Sequence, residues 1–595
     1  MRIAFLLLLV QAGSAFGGSG NQIFTNGFDC RATRPWSQTV GATPGPAPAP
    51  APAGQPALQC EWSGPPPGDP FPDHVQALSM PMVADLPYPS SANVEIVFVA
   101  YNNNDGGADA GVGGNPLHYG VLRVLDGCTC EQIATIHDAS NPIIGASSPA
   151  LGDIDGDGTV EIVALRAGGG LVTFNWDAVQ GGYSTWWWAD ANDTELETKF
   201  RWDGPSLHDL DDDGIAEVIS GHEVFDGVLG TRLNPTDMFA QANVVPTLAV
   251  VDLDGNDMVD LVADSLYFWD TDRWWVLADG PFGLGHSAVA DFGTATLNSF
   301  DPTTRDGVAE VVTTPSIGNN VALRDIFGNS LMSVPVNSTR SAPAIADFDG
   351  DGFPEIAVAD ATQLRVLDLD CGSAGGGCVG GFVRWKSPIK DDSSGGSTCT
   401  AIDLEGDGST ELVYADECWG RLYDGLSGDI IASWPRASCT FGEGISIADV
   451  DGDNSPELLV PSNSNCNIVC PDLDPLHEGL RCADNSECIS GTCDSGFCRC
   501  SNTPECPVLH ECTTPLAGTP GSGSVCRASQ NPLNPFAGLR IWGDPHEHVS
   551  QKPWKRIWNQ HTYSVTNVNA DGSIPKTTDR LDNHATNGPN TFRVP

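Results

Sequence analysis

The sequence predicts an all-β protein assembled from a succession of small, similar sheets, and three observations predict it. One acidic phrase recurs six times in one frame: DIDGDGTVEI from Asp153, DLDDDGIAEV from Asp209, DLDGNDMVDL from Asp252, DFDGDGFPEI from Asp347, DLEGDGSTEL from Asp403 and DVDGDNSPEL from Asp449. From about residue 75 to about 470, β-type apolar runs alternate with Gly/Asp/Asn loops, and almost nothing keeps a helical period. The repeat is regular, because Asp153 to Asp209, Asp291 to Asp347 and Asp347 to Asp403 each span 56 residues, a length that suits a four-stranded unit with long connections.

The elements follow in chain order. Residues 1–18 hold one Arg, an apolar run and small residues at Gly13 and Ala15, which reads as a secretory signal too short to span a bilayer. Residues 19–74 carry Cys30 and Cys60 on either side of a Pro/Ala tract, read as a spacer unable to build a core. Residues 75–470 hold the repeated units. In one of them SAPAIADFDG enters the acidic loop at Asp347, and EIAVAD, LRVLD and FVRW follow as strands. Two further copies are degenerate, one near Asp85 and one that begins at Asp291 and resumes as RDGVAEVV after an insertion. A four-stranded unit exposes two edges, so neighbours must stack. A closed ring, the seven- or eight-bladed β-propeller, is the simplest arrangement, and an open solenoid is the alternative.

The last unit is interrupted. Its loop at Asp449 and strand ELLV precede a Cys-rich insertion at 466–530, and GLRIWGD at 538 supplies the counterpart of TQLRVLD at 362–368. Residues 531–595 are therefore expected to complete the last blade. Ten of the nineteen cysteines fall between Cys466 and Cys526, so disulfides replace a hydrophobic core there and the chain belongs outside the reducing cytosol. Their pairing is not fixed by sequence. The odd total leaves one thiol unpaired or able to form an intermolecular disulfide.

The acidic loops carry the chemistry. Oxygen-bearing side chains occupy positions 1, 3, 5 and 9, and position 7 offers its carbonyl, a set suited to a hard cation that takes six to eight oxygens. In order these residues are Asp153, Asp155, Asp157, Thr159 and Glu161; Asp209, Asp211, Asp213, Ile215 and Glu217; Asp252, Asp254, Asn256, Met258 and Asp260; Asp347, Asp349, Asp351, Phe353 and Glu355; Asp403, Glu405, Asp407, Ser409 and Glu411; and Asp449, Asp451, Asp453, Ser455 and Glu457. Position 6 is Gly158, Gly214, Asp257, Gly352, Gly408 and Asn454, residues that tolerate a left-handed backbone. The implied cofactor is calcium, several structural ions. Magnesium fits less well, since it keeps its waters and seldom sits in an all-protein cage. For a single loop an ordinary polar turn explains the residues; six in register do not reduce to that.

The chain has 77 acidic against 28 basic residues, a net charge of −49. That excludes nucleic acid and anionic lipid as expected partners, because both require a basic surface. No later stretch is long and apolar enough for an integral membrane span. Enzymatic candidates are weak. His546, Glu547 and His548 lack the helical spacing of a zinc protease, and His561 beside Trp558 reads as a packed polar residue. No GxSxG elbow or phosphate-binding loop is present, so no catalytic residue is assigned. The tryptophans of TWWWAD at 185–190 and DRWWV at 272–276 lie in connections after blade strands, read chiefly as core and otherwise as a rim for sugar faces or peptide. The sequons at Asn192 and Asn337 carry little weight.

The recurring phrase, standing as SPALGDIDGDGTVEIV from Ser148 and APAIADFDGDGFPEIAV from Ala342, resembles the FG-GAP/VCBS repeats of secreted bacterial proteins, whose blades are similar to those of the integrin alpha-chain propeller. CADNSECISGTCDSGFCRC, from Cys482 to Cys500, resembles small EGF-like knots. The tail from Arg556, RIWNQHTYSVTNVNADGSIP, resembles a segment that follows such repeats in exported bacterial proteins. The resemblance implies a cation-stiffened propeller that binds or adheres to an extracellular protein or glycan. On its pattern the loops at 153, 209 and 347 are the strongest sites. Those at 252, 403 and 449 depart from it at Asn256 and Asp260, at Glu405 and at Asn454, and are expected to be weaker. A propeller-based lyase or glycosidase, or a structural surface or matrix component, is the alternative.

Overall fold

The computed structural model describes residues 56–594 except 90–92, 103–118, 191–203, 234–248, 254–259, 263–265, 279–284, 316–319, 338–340, 372–376, 392–396, 405–409, 439–442, 465–467, 544–553, 580–592 and a few isolated positions. The signal, most of the spacer, His546, Glu547, His548, Asn192, Asp254, Asn256, Met258, Glu405, Asp407 and Ser409 therefore lie outside the described residues.

Strands dominate and no α-helix occurs among the described residues. No helix among them is long and apolar enough to cross a membrane. Eight sheets follow one another along the chain, joined by a two-stranded hairpin and a separate four-stranded sheet in the Cys-rich insertion. Sheet 2 shows the pattern: Ala150–Gly152, Glu161–Leu165, Leu171–Asp177 and Gly182–Ala189 are consecutive antiparallel neighbours. The second strands of the eight sheets begin at Glu95, Glu161, Glu217, Asp260, Glu310, Glu355, Glu411 and Glu457. Each of these acids pairs with the last residue of the strand before it, as in Gly152↔Glu161, Ala290↔Glu310 and Ala84↔Glu95. The two degenerate copies thus keep the same register. The insertion after Asp291 is the hairpin Thr294–Thr296 and Ser299–Asp301.

Apolar clusters sit between consecutive sheets instead of in one centre. Phe225 and Val218 of sheet 3 pack with Val163 and Trp187 of sheet 2, and Ile356 of sheet 6 packs with Val312 of sheet 5. The largest cluster runs from Trp434 of sheet 7 through Leu459 and Ile541 of sheet 8 to Val97 of sheet 1 and Ile162 of sheet 2. The first and last sheets are therefore packed on each other, and this burial is the main stabilising term.

Closure between those sheets corrects the sequence reading. Residues 57–62, assigned to the spacer, form the strand Ala57–Trp62 and pair with Gly538–Gly543, so sheet 8 is ordered Ser446–Ala448, Glu457–Ser462, Gly538–Gly543, Ala57–Trp62. The N-terminal end of the described chain thus supplies the outer strand of the last sheet. Cys60 on that strand is bonded to Cys130 in sheet 1, stapling last sheet to first. Among the described residues of the expected C-terminal blade segment 531–595, only Gly538–Gly543 is a strand of that sheet. Residues 554–579 instead cross the inner strands of other sheets.

The insertion emerges between the second and third strands of sheet 8 and rests on sheet 7. Its cysteines pair as Cys482–Cys493 and Cys488–Cys498, then Cys500–Cys512 and Cys506–Cys526. That is one interlaced two-bridge unit followed by another. Cys418–Cys470 ties its base to sheet 7. Asp474 accepts two bonds from Arg421, at 2.8 and 2.9 Å, and one from Ser433 at 2.6 Å. Burial alone raises this carboxyl, but the Arg421 charge and these bonds hold it down at about 2. Cys399 is the free thiol among the described residues and is wholly buried, which leaves it unable to reach another molecule in the folded state.

Candidate metal centres

Each acidic loop links the first and second strands of its sheet, and one hydrogen bond defines it in all eight sheets. The residue at position 2 donates its backbone N–H to the acid at position 9: Ile154 to Glu161 at 2.9 Å, Leu210 to Glu217 at 2.7 Å, Leu253 to Asp260 at 2.8 Å, Phe348 to Glu355 at 2.6 Å, Leu404 to Glu411 at 2.8 Å and Val450 to Glu457 at 2.8 Å. The degenerate units do the same with Leu86 and Glu95 at 2.7 Å, and Phe292 and Glu310 at 2.8 Å. Position 2 is apolar because it points into the inter-sheet core, where Ile154, Phe348 and Val450 are buried.

Position 1 closes the loop. Asp153 accepts from Gly158 at 3.0 Å, Asp209 from Gly214 at 3.0 Å, Asp347 from Gly352 at 2.9 Å and Asp449 from Asn454 at 3.1 Å. These position-6 residues have φ of 85°, 89°, 93° and 70°, the left-handed region. Position 4 is left-handed too, at Gly156, Asp212, Gly350 and Gly452, a requirement the sequence reading missed although the small residues there signal it. Position 5 accepts from position 7, for example Asp157 from Thr159 at 2.8 Å and Asp453 from Ser455 at 2.7 Å.

Carboxylates converge as a result. Asp347, Asp349, Asp351 and Glu355 place one oxygen each within 4.8 Å of one another, as do Asp153, Asp155 and Glu161. After the backbone bonds are made, Asp153 Oδ1, Glu161 Oε1, Asp209 Oδ1, Glu355 Oε1 and Glu457 Oε1 remain buried with no hydrogen-bond partner. A buried carboxylate oxygen without a partner is costly, so several acids facing one point with such oxygens fit a hard cation. Burial, reinforced by the neighbouring acids, pushes Glu161 and Glu217 up to about 8. Desolvation likewise raises Glu355 and Glu457 well above the usual range.

The loops differ in their surroundings. At the loop of sheet 6, Arg384 lies 2.5 Å from Asp349 Oδ2 and 2.8 Å from Asp368 Oδ2. At the loop of sheet 8, Gln59 of the closing strand donates to Asp451 at 3.1 Å. Of the loops at 252 and 403, the described residues include Asp252, Asp260, Asp403 and Glu411.

His561 is buried, and desolvation lowers its pKa well below the ordinary value, so it sits as the packed polar residue expected. The tryptophans are in strands, not connections: Trp186, Trp187 and Trp188 belong to Gly182–Ala189. Trp187 is buried and donates its indole N–H to Gly227 O of sheet 3 at 2.7 Å, and Trp385 makes the same bond to Gly425 O of sheet 7 at 2.6 Å. Trp188 is exposed beneath the Arg166 guanidinium, 4.6 Å from the ring centre.

A second repeated turn was missed from sequence. WDAVQGG, RDIFGN and YDGLSGD join third to fourth strands and FDGVLGT follows the third strand of sheet 3, which has three strands among the described residues; the Asp of each caps the following N–H groups, as Asp177 does for Val179 at 2.8 Å. Their tips carry Val179, Leu229, Phe327 and Leu426, between 50% and 96% exposed. In a sheet of consecutive antiparallel strands the first and third turns emerge at the same end, so these tips share a face with the acidic loops.

No protein-family model and no curated protein matches the chain. Among solved structures, the Vibrio cholerae biofilm matrix protein Bap1 aligns over 91% of this chain and 99% of its own, at 15% identity and a TM-score of 0.62. The exotype rhamnogalacturonan lyase YesX aligns over 69% of this chain and 74% of its own, at 16% identity and a TM-score of 0.42. The likeness to Bap1 is one of fold, and with the eight successive sheets it identifies this chain as all-β and β-propeller-like.

Proposed function

We propose that the protein is a secreted, calcium-stiffened, eight-bladed propeller of the FG-GAP/VCBS type that acts as a binding or adhesion module for an extracellular protein or glycan. The observation that carries the binding role is the pairing, on one face, of acidic loops at the inner radius with exposed apolar tips at Val179, Leu229, Phe327 and Leu426 further out. Apolar side chains held clear of the surface by capped turns gain from contact with another molecule. The centre, a channel in a propeller, is crossed here by Trp558, Asn559, Gln560, His561 and Tyr563, all buried.

Calcium is supported by the buried, partnerless oxygens of Glu161, Glu355 and Glu457. Secretion is supported by the seven fully described disulfides. A matrix role is the neighbouring reading, since the protein of like fold is named for the biofilm matrix.

The test is binding of the mature protein, with calcium present, to an array of polysaccharides and purified extracellular proteins, beside a variant carrying V179D, L229D, F327D and L426D. Retention of one class by the native protein, with at least tenfold loss in a variant of unchanged melting temperature, supports the proposal. Absence of binding, or binding indifferent to the four charges, overturns it. Concentration-dependent self-association without other binding favours the matrix role.

A further inference from the structure

Besides the buried Arg593, which donates to His561 O at 2.6 Å and to Tyr563 O at 3.0 Å, two sets of contacts hold the segment from Trp554 to Asp579. One set lies along the inner strands. Trp558 exchanges backbone hydrogen bonds with Val83 of sheet 1, at 2.8 and 3.0 Å. Asn559 O accepts from Leu151 of sheet 2 at 2.8 Å, and Gln560 Oε1 accepts from Leu207 of sheet 3 at 2.8 Å. Three consecutive residues thus step across three consecutive sheets.

The other set falls on the acidic loops, each time on the backbone of position 1. Lys555 O accepts from Asp449 N–H at 3.1 Å, and Gly572 O accepts from Asp153 N–H at 2.9 Å. Thr577 Oγ1 donates to Asp209 O at 2.6 Å, while the Lys576 ammonium bonds to Asp212 O in the same loop. The side chains of Asp153 and Asp209 meanwhile turn a buried, partnerless oxygen into their loops.

Docking of this segment carries a cost. Both amide atoms of Asn559, Nε2 of Gln560, Nδ1 of His561 and the Tyr563 hydroxyl are buried without a hydrogen-bond partner in the chain, and burying such groups opposes docking. Apolar packing of Ile557, Trp558 and Tyr563 works against that cost.

We propose that the C-terminal segment is a calcium-dependent latch. Ions in the loops at 153, 209 and 449 fix the position-1 backbone that holds the segment across the ring centre, and loss of the ions releases it. The inference rests on the calcium reading above. Without a cation, carboxylates gathered within 4.8 Å of one another repel. The loops then open, and the hydrogen bonds at Asp153, Asp209 and Asp449 go with them. Linkage is reciprocal, so a docked segment tightens ion binding at these three loops and leaves the loop of sheet 6 unaffected. A chain exported from a low-calcium interior would close its centre only on meeting calcium outside.

The experiment is hydrogen exchange of the full mature chain in excess calcium and in chelator, with calorimetric calcium titration of the same sample. The expected result is at least tenfold faster exchange at 555–579 in chelator, while Glu355–Ala359 and Glu411–Ala415 stay protected. In a T577V variant, which removes the bond to Asp209 O and alters no proposed ion ligand and no charge, calcium affinity should fall several-fold at a subset of sites. Calcium binding with unchanged protection of 555–579 overturns the latch and leaves the calcium reading standing. Simultaneous loss of protection everywhere overturns the latch as a separate element. Failure to bind calcium overturns both.

Discussion

The guanidinium of Arg384 lies 2.5 Å from Oδ2 of Asp349, inside the loop whose four acids each place an oxygen within 4.8 Å of the others. The same group pairs with Asp368 at 2.8 Å and is buried. A cation is already supplied at position 3 by the protein itself, whereas Asp155, the corresponding residue of sheet 2, has no ion pair among the described residues. The expected order of calcium affinity therefore changes: the loop at Asp153 binds more tightly than the loop at Asp347. Arg384→Met should strengthen binding at the latter about tenfold, measured by calorimetric titration. No change would mean that Arg384 and an ion occupy the loop together.

Glu161 joins strand and loop through its two oxygens. Oε2 accepts the Ile154 N–H and Oε1 faces the converging aspartates without a partner. Glu161→Gln keeps an acceptor for Ile154 and removes the charge. The melting temperature in chelator should stay within a degree or two or rise, because an acid whose charged form burial disfavours is replaced by a neutral amide. Affinity for one ion should fall at least tenfold, about 1.4 kcal/mol. A variant that melts lower in chelator but binds calcium normally would assign Glu161 a purely structural role.

The insertion is anchored by a buried ion pair, and removing one partner strands the other. Asp474→Ala leaves Arg421 with Asp416, at 2.8 Å, and without its two bonds to Asp474. The loss should be about 3–5 kcal/mol, read as a lower denaturation midpoint, with earliest proteolysis near residue 474. The bridge Cys418–Cys470 keeps the insertion attached in both cases.

Acid should loosen the same contact. His477 and His510 are buried against each other, with ring centres 6.0 Å apart. Desolvation, helped at His477 by the neighbouring His510, Arg527 and Arg421, lowers them to about 3 and about 4. A depressed histidine pKa favours the fold while the group is neutral. The contribution is complete above the ordinary value of about 6.5 and is lost progressively as pH falls from there toward 4. Melting temperature should drop over that window, and a His477→Gln/His510→Gln variant should show a shallower slope. Identical slopes would place the acid sensitivity elsewhere.

Much of this was readable in the chain because the loop demands particular residues at particular positions. Asp at 1, a left-handed residue at 6 and an acid at 9 mark the full loops, and an Asp at the loop start with an acid opening the next strand marks even the units at Asp85 and Asp291, where the spacing is lost. Other features depend on partners distant in sequence. ALQCEW at 57–62 reads as a short tail to a Pro/Ala tract, and only pairing with Gly538–Gly543 makes it the closing strand. RIWNQHTYSV has neither strand nor helix period, since its residues are placed by the inner strands of several sheets. The disulfide pairing needed coordinates for the same reason. The capped apolar turn was within reach, because aligning WDAVQGG with YDGLSGD exposes both the Asp and the apolar tip.

The most direct test of the account is thermal unfolding of the mature, oxidised protein in excess calcium and in chelator. Each occupied site adds about 2.7 kcal/mol at a hundred times Kd, so several together predict a fall of many degrees on chelation. An unchanged melting temperature would contradict the account. The acidic loops would then be turns held by the Ile154 to Glu161 type of hydrogen bond alone, with inter-sheet packing and disulfides as the stabilisers.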